Sequence, residues 1–124
     1  MKIPQDHQQV MVYLIIKDAA AFSSFAQNTF GGHLLNTHMR EDGITIMHGE
    51  IKIGDSTIMF AEATEQLSVQ NSHFFIYVED ADITYHKILD GGGRVVTEIS
   101  DLPYGRSGGV EDPFGNTWWV TGIN

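Results

Sequence analysis

The side chains best suited to chemistry in this sequence are its histidines and its aromatic residues. The chain has six histidines and no cysteine, which excludes disulfides, thiolate catalysis and cysteine–zinc sites. His48 lies in an alternating stretch and shares a strand face with Glu50 and Lys52. This face either lines a ligand site or is the solvated side of an antiparallel strand. Three other histidines, His33, His38 and His86, lie outside this alternating stretch. We interpret them as structural or surface residues.

One short segment matches a catalytic pattern that we reject. Residues 105–109 fit G-x-S-x-G, but a nucleophile elbow needs a strand–turn–helix and a partner histidine further along the chain. Here a strand follows, and no histidine lies beyond His86. We predict instead that residues 104–109 form a flexible loop over a binding site, with Tyr104 as a ligand contact. Arg106 either binds an anionic ligand through its two-pronged guanidinium or pairs with a surface carboxylate.

Aromatic and thioether side chains alternate along three predicted strands. Successive strand residues point to opposite faces, so three sets of residues each share a face: Met11, Tyr13 and Ile15; His73, Phe75 and Tyr77; Thr117, Trp119 and Thr121. If helices cover the other side of each sheet, these sets line a concave surface of the composition typical of small-molecule sites. The alternative is that they fill a closed core.

The elements that must position these residues form an internal near-repeat. Residues 10–16 and 73–78 are apolar, and each stretch is followed by an aspartate, a helical pattern and glycines. A shift of 62 positions superposes Asp18 on Asp80 and Gly31 on Gly93. Aspartate suits a helix start because it accepts hydrogen bonds from free backbone N–H groups, and glycine suits a helix end. The repeat predicts a duplicated module.

The remainder of each half is typical of strands. Residues 43–53 and 57–62 flank a Gly54-Asp55 turn, as in a β-hairpin. In the second half, residues 94–97 and 117–121 are β-rich. The sequence thus predicts one α+β domain over residues 1–124: module one at about 10–62, a linker at 63–72 and module two at about 73–122, each βαβββ, in a cupped, barrel-like mixed sheet.

Charge and hydropathy limit the partners. The chain of 124 residues carries 7 basic and 16 acidic residues, for a net charge of -9, and this argues against nucleic acid or an anionic membrane. The N-terminus lacks the apolar stretch of a signal peptide, and no apolar run approaches the ~20 residues of a membrane span. We expect a cytoplasmic protein.

Four stretches resemble one known group of proteins. Residues 112–119, DPFGNTWW, preceded by YGRSGGV at 104–110, are similar to the C-terminal signature of PhnB-like proteins. Residues 48–55 and 77–82 also resemble this group, which belongs to the glyoxalase/bleomycin-resistance/dioxygenase, or vicinal-oxygen-chelate, superfamily. The resemblance extends from about residue 10 onward. It implies the glyoxalase/bleomycin-resistance fold and a homodimer.

The resemblance also implies where a metal would bind. Metal enzymes of this superfamily take ligands from the first and last strands of each module, and the corresponding candidates here are His73 and Glu62. The 62-residue shift places Met11 opposite His73, and a thioether is a poor ligand for a hard divalent cation. Trp119 stands where the last glutamate is expected. The inherited four-ligand site is therefore expected to be lost, and His73 is otherwise a hydrogen-bonded pocket residue.

Three functions remain open. In the first, the chain is a metal-independent protein that binds a small molecule through His48, Tyr13, Tyr77, Tyr104, Arg106 and Trp119. Alternatively, it is a lyase, isomerase or dioxygenase that uses a divalent metal (Zn, Ni, Mn or Fe) held by His73 and Glu62 with His48. In the third alternative the cup is packed shut and the protein has an assembly role. The sequence does not decide whether the protein is an enzyme.

Overall fold

The first half of the chain folds as one strand, one helix and three further strands. In the computed structural model, which describes residues 1–123, these are β1 (Tyr13–Ile16), α1 (Ala19–Phe30), β2 (His33–Met39), β3 (Ile46–Ile53) and β4 (Ser56–Glu62). The sheet order is β1-β4-β3-β2, with β1 parallel to β4 and the other pairs antiparallel.

The second half repeats this arrangement. Its elements are β5 (His73–Tyr77), α2 (Ala81–Asp90), β6 (Arg94–Leu102), β7 (Gly105–Glu111) and β8 (Thr117–Gly122). The sheet order is β5-β8-β7-β6, and β5 is parallel to β8. The predicted α+β architecture of two βαβββ modules is confirmed. The chain divides into two compact units at residues 70 and 71.

Both helices begin at the aspartates that the repeat singles out. The Asp18 side chain accepts a hydrogen bond from the Ala21 backbone N–H, and Asp80 does the same for Ile83. Helix α1 ends at Gly31, whose φ of 67° is the left-handed conformation that glycine adopts without strain. Capping by aspartate and glycine explains why the helix bounds follow closely from the sequence.

Each helix covers one face of its own sheet. In the first unit the apolar side chains buried on that face include Leu14, Ile16, Phe22, Ala26, Ile51 and Phe60. Phe22 and Phe60 meet edge to face with ring centroids 5.3 Å apart. In the second unit the corresponding buried set includes Tyr85, Ile88, Val110, Trp118 and Val120. The opposite faces of the two sheets therefore carry the residues available for binding.

The first strand is shorter than the pattern predicts. Residues 10–16 are apolar, but β1 begins at Tyr13, and Val10 is 86% exposed. The ladder starts where the Met59 N–H donates to the carbonyl of Val12. An apolar run alone does not place a strand end, because strand pairing decides it.

The predicted flexible loop over residues 104–109 is wrong. Residues Gly105–Glu111 form β7, a strand paired on both sides with β6 and β8. The glycines have a packing cause. A Cβ atom on Gly108 would lie 2.9 Å from the Ile99 Cα, and one on Gly109 would lie 2.5 Å from the Trp119 ring. Glycine here permits close approach within a sheet, not mobility.

Candidate functional site

The side of each sheet that lies opposite its helix is called here the open face of that unit. Strand registers define its members, because directly paired residues point to the same side. The first open face carries Tyr13, Met59, Glu50, Asn36, His48, His38, Lys52 and Thr57. The second open face carries His73, Phe75, Tyr77, Trp119, Thr121, Ser107 and Gly109. The two faces are described separately below.

A hydrogen-bonded chain of polar side chains crosses the first open face. The Tyr13 hydroxyl lies 2.9 Å from Nδ1 of His48, and Nε2 of His48 lies 2.8 Å from Oε2 of Glu50. The other carboxylate oxygen of Glu50 lies 2.8 Å from Nε2 of His7 and 3.5 Å from the Asn36 amide nitrogen, which donates. Glu50 is thus the centre of the cluster.

Burial and hydrogen bonding act on Glu50 in opposite directions. The residue is buried, and this burial raises the pKa of the carboxyl. Hydrogen bonds from His7, His48 and Asn36 outweigh burial, so the pKa of Glu50 lies below its ordinary value. A charged carboxylate therefore faces two imidazoles at neutral pH, and an ionised acceptor strengthens these hydrogen bonds.

A segment before β1 lies against the same sheet. Nζ of Lys52 is 2.7 Å from the Asp6 carboxylate, and the Thr57 hydroxyl donates to the Asp6 carbonyl. The Gln8 side chain accepts from the Thr57 backbone N–H at 3.1 Å. These contacts hold His7 against Glu50, so residues distant in sequence complete the polar cluster.

The second open face is aromatic. The Trp119 indole lies over Gly109, where a side chain would collide with it, and it stacks on His73 with an angle of 19° between the ring planes. The indole N–H donates to Nδ1 of His73 over 3.1 Å. Since Nδ1 accepts this bond, it carries no proton, and the ring is held as a platform beside Trp119.

Three further rings extend this face. Phe75 meets Tyr77 edge to face with centroids 5.2 Å apart, and Tyr104 lies 6.3 Å from Phe75. Phe75, Tyr77 and Tyr104 are 51%, 63% and 56% exposed. Phe75 and Tyr77 stand on β5, and Tyr104 lies in the turn before β7. Large exposed apolar side chains that lie together are typical of a binding surface.

Arg106 lies in a cluster of ion pairs. Its guanidinium makes two hydrogen bonds to the Asp82 carboxylate, at 2.7 Å and 3.2 Å, and a third to Asp101 at 3.2 Å. The hydrogen bond from Arg106 holds the pKa of Asp82 below its ordinary value. Of the two alternatives for Arg106, the structure shows the ion pair. Anchoring of an anionic ligand stays a prediction.

The donor residues do not fit an inherited metal site. Glu62 accepts hydrogen bonds from the backbone N–H groups of Asp18 and Ala19, each at 2.9 Å, so its carboxylate caps the first turn of α1. Within residues 1–123, no three His, Asp or Glu side chains are grouped to hold a metal ion. Met11 and Trp119 offer a thioether and an indole at the other family positions, and neither is a ligand for a hard divalent cation.

Sequence reasoning brings some of these residues together and misses others. Tyr13 and His48 are both predicted ligand contacts, and they are in contact. His73 and Trp119, predicted for different roles, touch each other in the second unit. The part of His7 was missed because nothing in the sequence links residue 7 to β3. The sequence predicts a structural or surface role for His38, and its pairing with His48 places it on the first open face.

Comparison with known proteins gives one family and a consistent set of folds. The family model described as "Glyoxalase/Bleomycin resistance protein/Dioxygenase superfamily" matches residues 7–120. An uncharacterized protein of Mycobacterium bovis, Mb0911c, is 28% identical over 118 residues, which cover 86% of this chain and 77% of that protein.

Solved structures of similar fold include two with informative descriptions. A PhnB protein from Bacillus cereus, described as a putative 3-demethylubiquinone-9 3-methyltransferase, has a TM-score of 0.73 and 15% identity over 94% of this chain and 100% of that one. TnmS3 from Streptomyces, an antibiotic binding protein, has a TM-score of 0.69 and 17% identity over 95% and 100%. At these identities the likeness shows the fold alone.

Proposed function

The chain belongs to the Glyoxalase/Bleomycin resistance protein/Dioxygenase superfamily, and on this basis we propose that it binds a planar aromatic small molecule on its second open face. The observation that carries the proposal is the group of rings on that face: Phe75, Tyr77 and Tyr104, each about half exposed or more, beside the His73–Trp119 stack. Flat aromatic ligands gain apolar contact and offset stacking from such a surface.

The surface is preorganised for binding. Gly109 leaves room for the Trp119 indole, and the hydrogen bond to His73 sets the rotation of the indole. Because His73 and Trp119 stand on the paired strands β5 and β8 and are joined by a hydrogen bond, these two side chains lose little freedom when a ligand binds, and the smaller entropy loss favours affinity. The net charge of -9 favours neutral or cationic ligands over anionic ones.

The proposal includes no metal step. The donor residues do not fit the four-ligand site of the family's metal enzymes, and the contacts of Glu62 support a structural role at the start of α1. A metal-binding role for His73 and Glu62, with Zn, Ni, Mn or Fe, stays a prediction. TnmS3, an antibiotic binding protein of the same fold, supports a binding function that needs no catalysis.

The partners and the location of the protein are proposed from the sequence and the family. No helix among residues 1–123 is long and apolar enough to span a membrane. A homodimer and a cytoplasmic location stay predictions, which size-exclusion chromatography with light scattering and cell fractionation would check.

Binding is tested by titrating the protein with three aromatic probes that differ in charge. We expect 9-aminoacridine, a planar cation at neutral pH, to bind more tightly than neutral anthracene-9-methanol, and both to bind more tightly than anionic 1-anilinonaphthalene-8-sulfonate. Tyr77→Ala should weaken 9-aminoacridine binding about tenfold, equivalent to about 1.4 kcal/mol. Tyr85→Phe, a change on the buried helix side, is the matched control. Equal affinity of wild type and Tyr77→Ala would contradict the proposal.

A further inference from the structure

The polar chain on the first open face has the order of a proton relay. We propose that Tyr13, His48 and Glu50 form a second, metal-independent site, in which the Tyr13 oxygen takes a proton from a bound weak acid. The substrate class is a small molecule that loses a proton from carbon or oxygen to leave a delocalised anion. All of its residues belong to the first unit, and the argument for it does not rest on the binding function proposed for the second open face.

The hydrogen bonds define the direction of proton transfer. Glu50 is ionised and accepts from Nε2 of His48 at 2.8 Å, so in the neutral imidazole the proton lies on Nε2 and Nδ1 is free to accept. The Tyr13 hydroxyl lies 2.9 Å from that Nδ1 and therefore donates to it. A carboxylate that orients a histidine in this way also stabilises the imidazolium that forms when it accepts a proton.

The proton balance of the step is complete. The substrate proton moves to the phenol oxygen of Tyr13, and the original hydroxyl proton of Tyr13 moves to Nδ1 of His48. The electron pair of the broken bond stays on the substrate, and the positive charge rests on His48 beside the Glu50 carboxylate. No external oxidant or cofactor takes part. Returning the proton to another atom of the substrate would make the step an isomerisation.

The exposure of the side chains to solvent decreases along the relay from Tyr13 to Glu50, as a proton relay with an open reacting end requires. Tyr13 is 45% exposed, the His48 side chain is 24% exposed and the Glu50 side chain is 8% exposed. The reacting atom is therefore open to a ligand, while the charged end is shielded from water, which strengthens its interaction with His48. Glu50 acts through His48 and is a positioning residue.

The first experiment measures the relay with a chromogenic weak acid, 5-nitrobenzisoxazole. A base removes its C3 proton, the N–O bond breaks, and a coloured cyanophenolate is released. We expect the wild-type protein to accelerate this elimination, and Tyr13→Phe and His48→Gln each to lower the second-order rate constant by about tenfold or more. His33 pairs with Lys52 and so lies on the same face, without a contact to the relay, and His33→Gln should leave the rate unchanged. Equal rates for wild type and His48→Gln would overturn the proposal.

A second experiment tests the Tyr13–His48 step without any bound substrate. Benzenesulfonyl fluoride labels a phenol when the oxygen attacks sulfur, fluoride leaves and a base takes the proton. Exposure alone favours labelling of Tyr77 and Tyr104, at 63% and 56%, over Tyr13, at 45%. The relay predicts the opposite order by mass spectrometry, and His48→Gln should abolish the advantage of Tyr13. Labelling in the order of exposure would contradict the relay.

The tautomer of His48 distinguishes a positioning role of Glu50 from a contribution to stability alone. Nitrogen NMR of His48 should show an unprotonated Nδ1 in the wild type, and Glu50→Ala, which removes the acceptor of the Nε2 hydrogen bond, should lower that preference while the protein stays folded. An unchanged tautomer in folded Glu50→Ala would show that Glu50 does not position His48.

Discussion

The two open faces differ although the two units share one topology. The first face places a carboxylate between two imidazoles, and one of these imidazoles also contacts a phenol. The second face places five rings side by side. On the helix sides both units bury aliphatic and aromatic side chains. The two units therefore share the packing that holds the helix on the sheet. They differ in the chemistry of the opposite face.

The largest expected effect on the free energy of unfolding concerns the turn in the last hairpin of each unit. In the second unit the Asp112 carboxylate is 2% exposed and accepts from the Trp118 indole at 2.8 Å and from the backbone of Phe114 and Asn116. Asp112→Ala leaves these donors without their acceptor and should cost about 2–4 kcal/mol of unfolding free energy. Urea denaturation measures it. The first unit uses a short Gly54–Asp55 turn, where Asp55→Ala should cost under about 0.5 kcal/mol.

Two glycines on opposite sides of their sheets sharpen the comparison between the faces, since Gly49 pairs with Phe60 on the helix side and Gly109 pairs with Trp119 on the open face. A Cβ atom on Gly49 of β3 would lie 2.5 Å from the Phe60 ring, which is fully buried. One on Gly109 of β7 would lie 2.5 Å from Trp119, which is on the open face. Gly49→Ala should therefore cost about 1–3 kcal/mol of stability.

Gly109→Ala should cost less stability than Gly49→Ala, because a partly exposed indole can move aside. It should instead weaken 9-aminoacridine binding, while Gly49→Ala leaves the affinity of its folded fraction unchanged. Chemical denaturation and probe titration of the two variants measure both quantities. The reverse pattern would contradict the division of roles between the two sides of the sheets.

The Glu50 cluster predicts that the stability contributed by Glu50 depends on pH. Because folding lowers the pKa of Glu50, its stabilisation is present above the ordinary glutamate pKa and is lost as pH falls through the lower, folded value. Glu50→Gln should cost about 1–2 kcal/mol near neutral pH, and the difference from wild type should shrink near pH 3. Denaturant melts at both pH values measure it. Glu98→Gln, at an exposed position of β6, should show no comparable difference.

The smallest expected effect concerns the ion pair of Arg106. Since Arg106, Asp82 and Asp101 are all partly exposed, Asp101→Ala should change the unfolding free energy by under about 1 kcal/mol. It should leave 9-aminoacridine affinity unchanged, as measured by the same titration. A marked loss of affinity would restore Arg106 to the binding surface.

Much of the fold was predictable because its signals are local. Asp18, Asp80 and the glycines after each helix mark the helix ends directly, and period-two alternation assigns His73, Phe75 and Tyr77 to one face. The strand β7 was missed because the glycines at 105, 108 and 109 are typical of loops. Their cause, the approach of Trp119 and Ile99, is a tertiary contact that composition does not report.

The candidate site was predictable only in part for the same reason. Alternation links Glu50 to His48, two residues away, and the aromatic sets follow from strand period. The contact between His7 and Glu50 spans 43 positions, and the pairing of Trp119 with His73 spans 46. Such contacts depend on the sheet order and on register, which a single sequence does not determine.

The most direct test of the aromatic binding face uses the two tryptophans of the chain as a matched pair. Trp118 is 1% exposed and donates to Asp112, and Trp119 lies on the open face and donates to His73. Their indole N–H signals are followed by nitrogen–proton NMR during titration with 9-aminoacridine, with assignments from Trp118→Phe and Trp119→Phe. The account predicts a saturable shift of the Trp119 signal with little change at Trp118. Saturable binding that leaves the Trp119 signal in place would contradict it.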